Sequence, residues 1–63
     1  MPRIEISGPA LGLEQKRILA QHLTRIACDT YGCPEDLVTV VIRAMAPDDV
    51  AVGGRLICDR ETD

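Results

Sequence analysis

The apolar and polar positions of this chain change period three times. Over residues 2–7, Ile4 and Ile6 alternate with Arg3, Glu5 and Ser7. That period of two predicts a strand with Pro2 on its apolar face. Gly8, Pro9 and Gly12 then break the chain into a short loop. From Leu13 to about Tyr31, Leu19, Leu23, Ile26, Ala27 and Thr30 recur at spacings of three and four. Glu14, Lys16, Arg17, Gln21, Arg25 and Asp29 fill the other side, which predicts an amphipathic helix of about five turns. Glu14 suits the positive end of the helix dipole, Gly32 suits a left-handed C-cap, and Pro34 marks the stop.

Leu37 to Met45 is rich in β-branched residues and almost continuously apolar, with Arg43 its only charge. A strand buried on both faces reads this way. Pro47-Asp48-Asp49 predicts a turn. Val50 to Val52, then Gly53-Gly54, predicts a short strand or hairpin leading to Leu56-Ile57. The charged tail from Asp59 to Asp63 is expected to fray.

Strand, long helix and second strand make a β-α-β unit with a right-handed crossover and parallel strands. The expectation is therefore a single α+β domain over residues 1–63. Its two-stranded sheet has two open edges and an uncovered face, and oligomerisation must complete it.

Composition supports this picture. A chain of 63 residues buries only roughly 60% of the surface that it exposes when unfolded. Such chains compensate with disulfides, a metal or association. Cys28, Cys33 and Cys58 are odd in number and lack a repeated CxxC spacing, and His22 is the sole histidine. Neither a disulfide framework nor a zinc site fits. Association remains, and a 46% hydrophobic content supplies the surface for it. The net charge of −3 and the single aromatic residue, Tyr31, argue against a nucleic-acid partner. No apolar run approaches a membrane span and no signal peptide is evident, so the expected setting is cytoplasmic.

Pro2 carries the chemistry. Methionine aminopeptidase removes an initiator Met when the next side chain is small, leaving proline's secondary amine at the chain start. In apolar surroundings the ammonium form is disfavoured and the pKa falls. Such an amine serves as general base or nucleophile near neutral pH.

Met1-Pro2 opening a strand, Glu14-Gln15-Lys16 starting the helix, Pro34, the run Val40-Val41-Ile42 through Met45-Ala46, and Val52-Gly53-Gly54 together form a signature. On these residues the chain resembles the 4-oxalocrotonate tautomerase family over nearly its full length. The resemblance implies a β-α-β protomer, strand pairing with a second copy, and a hexamer built as a trimer of dimers. It also implies that Pro2 acts as general base or nucleophile in a pocket shared between subunits. The implied reaction moves a proton between carbons through a dienol, without cofactor or metal. The implied substrate is a small anionic molecule, an unsaturated 2-oxo or 2-hydroxy acid.

The chain departs from that family in its anion-binding groups. An arginine in the family's loop before the helix has no counterpart in Gly8-Pro9-Ala10-Leu11-Gly12. A second arginine, early in the second strand, is replaced by Thr39. A phenylalanine of the late turn corresponds to Val50. Arg43 lies on the same strand face as Thr39, about 13 Å further along. It either binds an anionic substrate in place of the lost arginines or pairs with a carboxylate of a neighbouring subunit. Arg3, next to the proline, and Arg55, beside the Gly-Gly turn, are further candidates, read more readily as solvated or as inter-subunit ion pairs. His22 is expected to be packed or half-exposed, and Tyr31 to pack at the helix end. The leading expectation is a Pro2-dependent tautomerase, with substrate contacts from Arg43, Thr39, Val50 and Arg3. Alternatives are a Pro2-dependent hydratase or dehalogenase of an unsaturated acid, and a catalytically idle oligomeric homologue. Asp48 and Asp49 belong with the former, although nothing in their placement matches the carboxylate of the hydrolytic relatives.

Overall fold

Two parallel strands lie side by side, β1 (Arg3–Gly8) and β2 (Thr39–Ala44), joined by the helix α1 (Leu13–Tyr31). The computed structural model describes residues 1–62. Arg3 stands beside Thr39, Glu5 beside Val41, and Ser7 beside Arg43. Backbone bonds close the ladder at both ends: Thr39 N–H donates to the Pro2 carbonyl at 3.1 Å, and Met45 N–H to the Gly8 carbonyl at 2.8 Å.

The helix has the predicted bounds because both ends are chemically marked. Gly12 is extended at the N-cap (φ −69°, ψ 162°), and the Gln15 side-chain oxygen accepts its N–H at 2.9 Å. This satisfies one of the donors left over at a helix start. Gly32 adopts φ 69°, ψ 37°, and its N–H donates to the Cys28 carbonyl at 2.8 Å. That left-handed stop strains any residue with a Cβ.

The second strand starts two residues later than its apolar run. Pro34 holds φ at −72°, and Glu35–Leu37 form one 3-10 turn before the chain extends at Val38. Next come a turn closed by Asp49 N–H to the Ala46 carbonyl at 2.9 Å and the hairpin of β3 (Ala51–Val52) and β4 (Arg55–Leu56). Gly53 and Gly54, at φ 63° and 84°, supply the two positive φ angles of a tight hairpin turn. The tail is ordered further than expected: Ile57–Thr62 form a 3-10 turn. Ile57 and Cys58 donate to the Val50 and Pro47 carbonyls at 2.9 and 3.1 Å. Asp63 lies outside the described residues.

Packing is thin. The helix lays Leu19, Ala20, Leu23, Thr24, Ala27 and Cys28 toward the sheet, yet Ala27 is the only fully buried residue described. β2 is half-buried at best, since none of the described residues covers the sheet's other face. Ile18 and Ile26 form a second apolar stripe left outside, and Ile26 is 62% exposed. Tyr31 does not pack at the helix end; it is 70% exposed. His22 is exposed rather than packed. The radius of gyration is 15.3 Å, against about 11 Å for a self-contained domain of this length. Among the described residues no helix is long and apolar enough to cross a membrane.

Candidate functional site

Pro2 heads β1, half-buried, with its carbonyl pinned to Thr39. The preceding Met1 is 93% exposed, so its removal disturbs no packing. In the 63-residue chain the Pro2 nitrogen is an amide, with no basic lone pair. Loss of Met1 converts it to a secondary amine on an anchored residue.

Arg3, Glu5 and Ser7 share the open face of the sheet with Thr39, Val41 and Arg43, because parallel partners project to the same side. Glu5 sits between two cations: one carboxylate oxygen lies 3.1 Å from Arg3 Nε, the other 3.5 Å from an Arg43 Nη. Arg43 therefore has a carboxylate partner in its own chain, where the sequence suggested a neighbouring subunit or a substrate. All three side chains are about half-exposed in the single chain, where such pairs add little stability. The two pairs place both guanidinium groups beside Glu5.

A cavity of about 760 Å³ opens at the other end of the strands. Ser7, Gly8, Pro9 and Ala10 form one side, and Ala44, Met45, Ala46 and Pro47 the other. Asp49, Val50 and Ile57 complete it. Val50 is the one expected substrate-contact residue that the cavity includes. The rest had a signal in the sequence that composition hides: parallel strands present ligand crevices at their carboxyl ends. Gly8-Pro9-Ala10 and Met45-Ala46-Pro47 are what follow those ends here.

Gly8 lies six positions beyond Pro2, about 20 Å along an extended strand. One chain therefore holds the amine and the cavity apart. Were two copies to pair their sheets antiparallel about a two-fold axis, the start of one strand would lie beside the end of its partner's, and one copy's Pro2 would approach the other copy's cavity.

Elsewhere the three cysteines are free. Burial, then the neighbouring Cys33 and Glu35, push the Cys28 thiol above its ordinary value, so it is a poor nucleophile. Among the described residues no three metal-ligating side chains cluster.

Known proteins share this fold. A "Probable tautomerase" of Bacillus cereus is 38% identical over 47 residues, covering 75% of this chain and 77% of its own length. The crystal structure of DmpI from Archaeoglobus fulgidus superposes with a TM-score of 0.83 at 34% identity, covering 92% of this chain and 100% of that one. TomN, described as a 4-oxalocrotonate tautomerase homologue in the tomaymycin biosynthetic pathway, reaches a TM-score of 0.87 at 27% identity, covering 98% and 97%. The family model described as "Tautomerase enzyme" matches residues 2–60. The chain thus belongs to the tautomerase family.

Proposed function

We propose that Pro2, freed by removal of Met1, is the general base of a cofactor-independent enol–keto tautomerase acting on a small unsaturated 2-oxo or 2-hydroxy acid. The observation that carries this reading is Pro2 itself, the residue at which the match to the tautomerase family begins. A half-buried proline is anchored through its carbonyl, behind a methionine that is 93% exposed. The amine takes the proton from the enol or from the carbon beside the carbonyl and returns it at the other carbon of the conjugated system. The site is completed by a second copy, and the assembly is a hexamer, a trimer of dimers. The three free cysteines fit a reducing, cytoplasmic setting.

Ketonisation of an enol such as phenylenolpyruvate, followed by ultraviolet absorbance, tests this on protein shown by intact mass to lack Met1. The rate should rise as pH passes upward through the amine's pKa, where the base form appears. Pro2→Ala should lower it by about 10² to 10⁴, its primary amine rescuing part. An unchanged rate in that variant overturns the assignment.

A second reading is hydration or dehalogenation of an unsaturated acid. Asp49 favours it as the one carboxylate lining the cavity, where it would activate water. Release of halide from a 3-haloacrylate, lost in Asp49→Asn, distinguishes it.

A further inference from the structure

The cavity at the carboxyl ends of β1 and β2 holds no cation. Its walls are apolar apart from Ser7 and Asp49. The chain's arginines and its lysine stand elsewhere. Arg3 and Arg43 lie beside Glu5 on the open sheet face. Arg17 pairs with Glu14 at 3.3 Å, and Arg55 donates to the Asp59 carbonyl at 3.0 Å. Lys16 and Arg25 belong to the helix and Arg60 to the 3-10 turn Ile57–Thr62, and none of these residues lines the cavity.

From this we infer that the cavity takes the uncharged, apolar end of a substrate that carries a single carboxylate. The enzyme accordingly selects apolar-tailed monoacids over dicarboxylates. This rests on the tautomerase reading above and specifies its substrate class. A carboxylate pushed between Ala10, Ala46 and Val50 would lose its water without gaining a cationic partner among the residues that line the cavity, and it would meet the like charge of Asp49. An aromatic or branched tail there loses only apolar contact with water, which is favourable. The volume, about 760 Å³, lies within the usual span of small-molecule sites. The substrate's one carboxylate remains at the mouth, on the side where the partner copy's amine enters.

Two measurements on the Met1-free assembly test the inference. The first compares kcat/KM for phenylenolpyruvate with that for the dicarboxylate 2-hydroxymuconate. The loss of one charge-assisted contact predicts a preference for the monoacid on the order of 10- to 100-fold. Ala10→Arg should raise dicarboxylate turnover at least tenfold. The second titrates methyl-labelled protein with two non-reacting probes, trans-cinnamate and cis,cis-muconate, by nuclear magnetic resonance. Cinnamate should shift the Ala46, Val50 and Ile57 methyl signals and bind at least tenfold tighter. Equal or tighter binding of muconate, or cinnamate shifts confined to other methyls, would overturn the inference. So would turnover of the dicarboxylate at or above that of the monoacid. Retained activity in Pro2→Ala, with cinnamate still in the cavity, would instead remove the general-base reading and leave the cavity's selectivity standing.

Discussion

Dilution should unfold this chain rather than release a folded monomer. The single chain exposes 4961 Å², about 1,000 Å² more than the ~4,000 Å² expected of a folded monomer of 6.9 kDa. A standard interface takes about 800 Å² from each partner, so the excess alone exceeds one interface. If it were all apolar, its burial would contribute about 25 kcal/mol per chain, an upper bound because denatured chains already bury part of their surface. Against this stand the association cost, about 4–15 kcal/mol, and the conformational entropy lost in ordering the backbone. A chain with one fully buried residue described, Ala27, cannot meet the second cost alone. Sedimentation velocity and far-ultraviolet circular dichroism from 10 µM to 10 nM should therefore lose assembly and helix signal together. The melting temperature should fall with concentration over the same range. A helical species of 6.9 kDa with a concentration-independent melting temperature would refute the reasoning.

Other predictions concern single positions. Gly32→Ala keeps the backbone bond to Cys28 but places a Cβ at φ 69°. It should cost about 1–2 kcal/mol, seen as a lowered midpoint in urea at fixed protein concentration; no change would mean that the helix ends differently. Gly54→Val, at φ 84°, should destabilise at least as much, since a β-branched side chain resists that angle more. Cys28, with its thiol pushed up in the fold, should react with iodoacetamide at pH 8 more slowly than exposed Cys58, as peptide mass spectrometry would read. The raised value means that folding favours the thiol form. Its contribution is present below the unfolded thiol's pKa and lost as pH rises through the folded one, so Cys28→Ser should flatten the alkaline limb of the stability profile.

What the sequence shows and what it hides divide along lines of range. The helix is legible to the residue because its signals are local: Gly12, Gln15 and Gly32 act within one turn of its ends. The hairpin at Gly53-Gly54 is legible for the same reason. The late start of β2 is not, because Leu37 and Val38 look like strand residues while Pro34 and Glu35 have already committed the chain to a turn. Ile26 looks like part of the packed stripe, yet the stripe runs through Ala20, Thr24 and Cys28. The helix has more apolar positions than one sheet can cover, and period alone does not choose among them. Arg43's partner was hidden for a third reason. Period two gives its face, but only the register of β1 against β2 brings Glu5 alongside. The separation of Pro2 from the cavity likewise follows from strand length and parallel pairing.

That separation has a genetic consequence. A chain damaged at Pro2 retains an intact cavity, and a chain whose cavity is filled, by Ala46→Phe for example, retains an intact Pro2. If Pro2 is the base and the site is shared between copies, each would be inactive in an assembly of its own kind. Refolded together, they regenerate a share of sites in which a sound amine from one allele faces a sound cavity from the other. Two null alleles of this gene would therefore complement each other in one cell.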